Sequence, residues 1–475
     1  MQFKQTILPA VLVGSLSAAT SLFADEAAET AKELRKQIQE LDQKVRILER
    51  KSEIDKEAAT EKSRTAASVS ARAGGFSIRS ADTNFVLKLR GYIQADSRFF
   101  ADDHVGGAAN GTFLLRRVRP IIEGTVFEKY DFRLMLDFGS GVTASAANNS
   151  YVQDAYFTAR FLPQFQIQAG KFKEPVDLER LQSGANLLFV ERGYPTQLAP
   201  NRDVGVQVQG DFGGAAGSSL ISYAVGAFNG VADGGSGDIE TADDEKDIAA
   251  RLFSHPFKNL DVDALRELGL GIAGTYGDQD GSVRSYTSIG QQRFFGYRSS
   301  ATPATAANVV ANGIHWRVAP QGYYYYGPFG LFAEYIVSEQ DVQQAGAGTG
   351  AGTIASLRHT AWTVAASFFL TGEENSFKAV TPRNAFQPAS GGWGAWEVAA
   401  RVGGLDIDDD AFPVFANSAT SATSAFSWGL GLNWHLNRNV KVNLNYDQTD
   451  FKGGAATDLL AKGEKAIFTR AQISF

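Results

Sequence analysis

The side chains able to act together in this 475-residue chain fall into a few sets, and the largest is basic. Lys88, Arg90, Arg98, Arg117, Arg119, Arg133, Arg160, Arg251, Arg317, Arg401, Lys441 and Arg470 each occupy the polar phase of a segment that alternates apolar and polar residues. Lys173, Arg180, Arg192 and Arg202 sit among Glu174, Asp177, Glu179 and Glu191 in one irregular stretch, residues 171–203. Fixed positive charges facing one enclosed volume concentrate anions, because low-dielectric walls focus their field. Asp96, Glu123, Asp137, Asp154, Glu334, Glu397 and Asp447 share the polar phase, so twelve bases against seven acids favour anions modestly. Pairing of the two signs across neighbouring strands would remove that preference.

Catalytic and metal-binding groupings are weak. Among five histidines, neither G-x-S-x-G nor H-E-x-x-H occurs. His435, Asn433 and Ser427 share one polar phase, but same-face neighbours on a strand stand roughly 7 Å apart, too far for a direct relay. No enzyme is expected, and a hydrolase is the least favoured reading. Asp406, Asp408, Asp409 and Asp410, like the stretch from Asp233 to Asp247, offer calcium-type oxygens without the turn glycine and distal glutamate of a 12-residue loop. They read as a solvated rim, and no metal is expected. Gly269, Gly271 and Gly274 spell G-x-G-x-x-G inside an alternating segment with no helix after it, so neither a phosphate cradle nor a cofactor follows. The absence of cysteine excludes disulfides, thiolate metal sites and thiol redox chemistry.

Strands must position the basic rows. From Phe85 onward the period is 2: Phe85, Leu87, Leu89, Ile93 and Ala95 oppose Lys88, Arg90, Tyr92, Gln94, Asp96 and Arg98. Phe132, Leu134, Leu136 and Phe138 oppose Arg133 and Asp137; Val440, Val442, Leu444 and Tyr446 oppose Lys441, Asn443, Asn445 and Asp447. Forty-nine glycines, 11% aromatics and 13 prolines suit a β-rich chain with many turns. About sixteen such segments begin near residues 85, 113, 130, 152, 164, 204, 218, 247, 267, 314, 329, 359, 394, 425, 440 and 465. Short connections (128–129, 162–164, 327–328, 437–439) alternate with long ones (173–203, 229–246, 278–312, 339–358), the pattern of an outer-membrane barrel with both ends on one side. The stretch 371–393 breaks it, being long where a short turn is due, and leaves room for a misplaced strand. A soluble sandwich also alternates. The tryptophans discriminate: Trp316, Trp362, Trp396, Trp428 and Trp434 fall on the apolar phase, where interfacial girdles place them. Past residue 24 no run of 18 apolar residues occurs, so only a closed barrel could cross a membrane. The net charge of −7 argues against a nucleic-acid partner.

The amino-terminal end differs. Lys4, the apolar run Ile7 to Ala19 and the small residues before Asp25 predict a signal peptide over 1–24, cleaved after Ala24, with Ala19 as the rival site. Ala31, Leu34, Ile38, Leu41, Val45 and Leu48 then alternate three and four apart, a heptad seam within a periplasmic helix over 25–63. Leucine at d with β-branched residues at two of three a positions favours parallel dimers in isolated peptides and leaves a trimer open. Residues 64–83, rich in Ser, Ala, Arg and Gly, read as a flexible linker, and 84–475 as the barrel.

Several stretches resemble the phosphate-selective porin O and P family in order and spacing: GGFSIRSADTNFVLKLRGYIQAD, LRRVRPIIEGTV, YDFRLMLDFG, VQDAYFTARFLPQFQIQAGKFKEP, LERLQSGANLLFVERG, YAVGAFNG, AARLFSHPF, FFLTGEENSF and GAWEVAARVGGLDID, with Phe475 ending the chain behind Ile473 and Ala471. The resemblance covers nearly all of the chain from Gly74. It implies an all-β, sixteen-stranded antiparallel transmembrane barrel in the outer membrane, surrounded by its lipids, assembled as a homotrimer, with the third long loop in the lumen and small anions such as phosphate or polyphosphate as solutes. In the family a lysine cluster forms the anion site; here lysine is scarce and arginine common on the inward phase, which puts strict phosphate selectivity in question. A general non-selective porin and an envelope-tethering barrel remain the alternatives.

Overall fold

The computed structural model describes residues 19–72, 74–101, 111–139, 151–213, 219–239, 244–300, 302–303, 306–348, 350–454 and 458–475. Most of the expected signal peptide lies outside them. The chain divides into a helical unit and a β unit. The helical unit contains α1 (Ala19–Thr65), built from Ala, Glu, Lys, Gln and Leu, which lose little side-chain freedom in a helix. Spaced charges support it, Asp42 with Arg46 and Arg50 with Glu53, each at 3.0 Å. Leu34, Ile38, Leu41, Val45 and Leu48 are all exposed on this helix.

In the β unit, the stretch read as a flexible linker carries a hairpin, β1 (Ser68–Arg72) and β2 (Gly75–Arg79). Composition misses it because Ser, Ala, Arg and Gly carry little strand preference and the order comes from pairing: β2 lies along β3 (Phe85–Phe100), from Phe76↔Leu89 to Arg79↔Val86. The next strands are β4 (Thr112–Val126), β5 (Tyr130–Leu136), β6 (Val152–Leu162), β7 (Phe165–Lys173), β8 (Arg202–Phe212), β9 (Ile221–Phe228), β10 (Asp247–Ser254) and β11 (Gly269–Ser282). After a two-strand ribbon, β12 (Tyr286–Thr287) and β13 (Arg293–Phe295), come β14 (Val309–Tyr326), β15 (Phe329–Gln344), β16 (Ile354–Phe369), β17 (Ala395–Asp406), β18 (Ser424–His435), β19 (Val440–Lys452) and β20 (Glu464–Ser474). Leaving out β1, β2 and the ribbon, these form sixteen antiparallel strands, and β20 pairs with β3 from Ser474↔Tyr92 to Ala466↔Phe100, which closes the barrel. Closure leaves no unpaired edge for lipid to meet.

The closing seam has its own lock. Gly91 and Phe475 exchange two backbone hydrogen bonds of 2.9 Å. A Cβ on Gly91 would stand 2.9 Å from the Phe475 ring, so glycine is needed there for the terminal aromatic to pack. The alternation divides the wall as anticipated: Phe99, Phe113, Leu115, Phe157, Leu430 and Leu444 face outward and exposed, while Gln94, Asp96, Arg98, Asn443 and Asn445 face inward and buried. Between β16 and β17 the long connection holds one short helical turn, Pro388–Ser390, and an isolated bridge, Gln387↔Gly392, but no further strand.

Candidate functional site

Residues 174–201, between β7 and β8, are folded inside the barrel. Their side chains pack as a core: Val176, Leu178, Leu187, Phe189, Val190, Tyr194 and Leu198 are each at most 2% exposed. Two short helices shape the segment, α2 (Leu178–Leu181), capped by Asp177 through Arg180 N at 2.5 Å, and α3 (Pro195–Leu198), with proline at its first turn. The walls hold its backbone from several sides. Glu334 on β15 accepts from Leu178 N at 2.8 Å, Gln321 donates to Val176 O at 2.6 Å, Lys441 to Leu187 O at 2.9 Å, and Gln94 to Gly184 O at 2.8 Å. Asn445 accepts from Val190 N at 2.7 Å, and Tyr194 meets Ser427 at 2.6 Å. A 28-residue segment without long elements is thus fixed by donors and acceptors on the inward phase of the strands.

The inward charges are largely paired. Arg98 and Arg116 both reach Glu191, at 2.6 and 2.7 Å; Arg470 grips Asp96 with two bonds of 2.7 Å. Arg119 meets Asp137 at 2.7 Å, Arg133 meets Glu123 at 2.9 Å and Asp154 at 3.0 Å, Arg202 meets Asp154 at 2.8 Å, and Arg90 meets Glu123 at 2.9 Å. Arg317 meets Asp233 at 2.9 Å, Arg401 meets Asp447 at 2.9 Å and Arg160 meets Asp131 at 2.7 Å. The rest bond neutral oxygens. Arg117 donates to Gln94 at 2.8 Å and Arg251 to Gln321 at 3.0 Å, with Arg251 also over the Phe253 ring. Lys173 donates to the carbonyl of Gln182 at 3.0 Å, Arg192 to those of Glu179 and Gln182 at 3.1 and 3.2 Å, and Arg180 to that of Thr196. Lys88 is exposed, on the part of β3 that pairs with β2 past the end of β20.

Two participants escape a strict period-2 reading. Arg116 should face outward beside Arg117, but the ladder skips a residue where Gln94↔Arg117 gives way to Ala95↔Leu115, and this bulge brings Arg116 to Glu191. The doublet Arg116-Arg117, which puts two adjacent charges on opposite phases of one strand, is the available signal. Asp233 enters from the β9–β10 connection and collects Arg317, Tyr286 at 2.9 Å and Ser338 at 3.0 Å, a convergence that no sequence spacing announces.

The ionisation of the inserted segment follows from this packing. Burial alone would raise the Glu191 carboxyl, but Arg116 and Arg98 hold it well below the usual carboxylate range. Burial pushes Asp177 up to about 6 and, with Arg192 nearby, brings Arg180 down to about 9. Glu174 is wholly buried, and neither carboxyl oxygen has a hydrogen-bond partner, so burial raises it well above its ordinary value.

Three cavities adjoin the insert. One of about 330 Å3 lies between residues 181–184 and the wall of β4–β8, with Arg119, Arg133, Lys173 and Arg202 against Asp154. A second, about 80 Å3, includes Lys378, Arg438 and Lys441 against Glu397. The third, about 790 Å3, is lined by residues 373–381 and has balanced charge: Arg251, Lys378 and Arg383 with Glu267, Glu373 and Glu374. Two inserts meet beside it, Gln182 donating to Phe377 O at 2.9 Å and the Tyr323 and Phe377 rings stacking at 5.1 Å. His435 bonds Glu397 at 3.2 Å, whereas Ser427 is held by Tyr194 and Thr449, so the His435, Asn433 and Ser427 set does not assemble. Among the described residues no group of three His, Asp or Glu could hold a metal ion.

Known proteins align with this architecture. Porin O of Pseudomonas aeruginosa is 24% identical over 399 residues, 78% of this chain and 85% of that protein. Among solved structures, the outer membrane channel DcaP of Acinetobacter baumannii matches with a TM-score of 0.51 at 11% identity, covering 85% of this chain and 100% of that one. A loop-deletion mutant of OmpT, an outer membrane protein of Vibrio cholerae, matches at 0.50 and 12% identity, covering 82% and 100%. The family model for phosphate-selective porins O and P matches residues 87–475, and this chain, an outer-membrane porin barrel of sixteen strands, belongs to that family.

Proposed function

We propose that the lumen passes small anions, phosphate or polyphosphate among them as the family suggests, with residues 174–201 as the constriction and the bases around them as the selecting charges. One observation carries this reading: the two cavities flanking residues 181–188 are lined by four and three bases against one acid in each, and although Arg119, Arg133 and Arg202 are paired with Asp137, Glu123 and Asp154, Lys173 and Lys441 donate to carbonyl oxygens of the insert. In an enclosed low-dielectric space that excess raises the local anion concentration. The paired arginines shape the wall, and the cations bonded only to neutral oxygens supply the field. The reversal potential of the purified protein in planar bilayers under a potassium chloride gradient tests it. Chloride preference that phosphate suppresses at low concentration supports an anion-binding pore; cation preference or none overturns the anion reading and leaves a general porin.

The exposed stripe Leu34, Ile38, Leu41, Val45 and Leu48 supports a coiled coil between copies, consistent with a homotrimer. The stripe turns polar at Ser52 and Asp55, so association is confined to the first part of the helix. Deleting 25–63 should leave conductance intact while weakening the oligomer in detergent; an oligomer unchanged by the deletion would overturn the coiled coil.

A further inference from the structure

We propose that the 330 Å3 cavity between the third-loop insert and the β4–β8 wall is a binding site for an anionic polyol, a sugar carrying one phosphate or carboxylate, rather than for inorganic anions alone. The two ends of this cavity differ in chemistry. Near the insert stand Lys173 and Arg202, register partners on β7 and β8, Arg202 sharing Asp154 with Arg133 from β5, and Arg119 from β4 paired with Asp137. Lys173 bonds only the carbonyls of Leu181 and Gln182, so its charge is not cancelled by a carboxylate in contact.

Five residues farther along the same two strands the lining is amide. Gln168 and Gln207 are register partners there, with Gln209 next to them. At about 3.3 Å per residue the backbone at Gln168 and Gln207 lies roughly 16 Å from that at Lys173 and Arg202, and the cavity they line, about 330 Å3, is larger than one inorganic phosphate fills. The amides form a chain: Gln207 Nε2 donates to Gln209 Oε1 at 2.8 Å, and Gln209 Nε2 to Gln168 Oε1 at 3.4 Å. The chain ends on an acceptor without a donor. Gln207 Oε1 is buried in a residue 5% exposed and has no hydrogen-bond partner. A buried amide oxygen in that state calls for an O–H or N–H from whatever fills the cavity. Chloride has none to offer, hydrogen phosphate has its O–H only on the charged head itself, and a polyol has several along its length.

Met135, Phe172 and Leu181 complete the wall with apolar surface, against which the C–H faces of a sugar pack. A volume of about 330 Å3 falls in the range of small-molecule sites. The occupant is thus specified by a charged oxyanion head near Lys173 and Arg202 and hydroxyl donors toward Gln207. This site refines the anion pathway proposed above: chloride preference without a sugar-phosphate preference would remove the site and keep the pathway.

The test is block of chloride current through the full-length protein in planar bilayers by glucose 6-phosphate, gluconate, inorganic phosphate and glucose. Glucose 6-phosphate is expected to reach half-block at a concentration about tenfold below inorganic phosphate, with glucose inactive. Gluconate blocking equally well would show that any oxyanion head serves, and gluconate failing would restrict the head to phosphate. Gln207→Leu should bring glucose 6-phosphate to the level of inorganic phosphate while leaving the latter unchanged; should that variant fail to assemble, Gln209→Leu on the same face is read in the same way. Inorganic phosphate blocking as well as glucose 6-phosphate, or glucose blocking as well as either, overturns the site.

Discussion

The two flanks of the inserted segment use the same basic side chains to opposite ends. On the flank of β3, β4 and β20, Arg98 and Arg116 converge on Glu191 while Arg470 is clamped to Asp96, so these three cations have a carboxylate in contact, and only Arg117 beside them donates to a neutral oxygen, that of Gln94. On the flank of α2, Lys173, Arg180 and Arg192 donate only to backbone carbonyls. Carbonyl dipoles orient a cation without cancelling its net charge. The first flank is therefore a fastening and the second a source of field, and counting bases along strands cannot tell one from the other.

Removing Glu191 should break the comparison most severely. Glu191→Ala leaves two buried guanidinium groups without their carboxylate, and breaking a buried pair from one side costs about 3–5 kcal/mol. The insert should leave the β3–β4 wall, seen as a rise in single-channel conductance and a lowered unfolding temperature. Unchanged conductance would mean that the other wall contacts suffice and that this flank is not the fastening. Lys173→Gln, by contrast, orphans no carboxylate and keeps an N–H for the Gln182 carbonyl. It should leave the unfolding temperature nearly unchanged while lowering the chloride-to-potassium permeability ratio several-fold; equal loss of stability in both variants would erase the distinction between the flanks.

Much of this arrangement is legible in the sequence and part is not, for a physical reason. A period-2 pattern needs only local residues, so the sixteen strands, their inward phase and the length of the 171–203 connection can be read directly. Pairing across the lumen depends on the path of the insert, which sets Glu191 between Arg98 and Arg116 although the three are far apart in sequence. The bulge at Arg116 and the hairpin at 68–79 are fixed by neighbouring strands and carry little local signature. Lys88, Arg90 and Arg160 obey the inward phase yet stand exposed near strand ends, because phase says nothing of height along the barrel.

A milder test uses pH. Asp177 caps α2 with its carboxyl pushed up to about 6 by burial. Its folded value exceeds the ordinary 3.8, so the protonated form is the one the packed insert favours. The contribution is fully present below about 4 and is lost as pH rises through about 6. Current fluctuations should therefore grow between pH 5 and pH 8 on the α2 flank. Asp177→Asn, which still caps the helix, should flatten that dependence; fluctuations that persist with the same pH profile would assign them to another group.

The smallest effect is expected at the rim cavity, where the two flanks give way to balanced charge. Arg251, Lys378 and Arg383 face Glu267, Glu373 and Glu374 there, and the volume is about 790 Å3, more than twice that of the cavity at Lys173. A wide space with both signs present focuses little field, since opposite charges cancel within a screening length of about 8–10 Å at physiological salt. Arg383→Ala should consequently shift the reversal potential far less than Lys173→Gln does, even though each removes one cation from the lumen. A shift of the same size would move the selecting charges from the inserted loop to the rim, and the neutral-oxygen partners of Lys173, Arg180 and Arg192 would then be an incidental feature of how that loop is tied down.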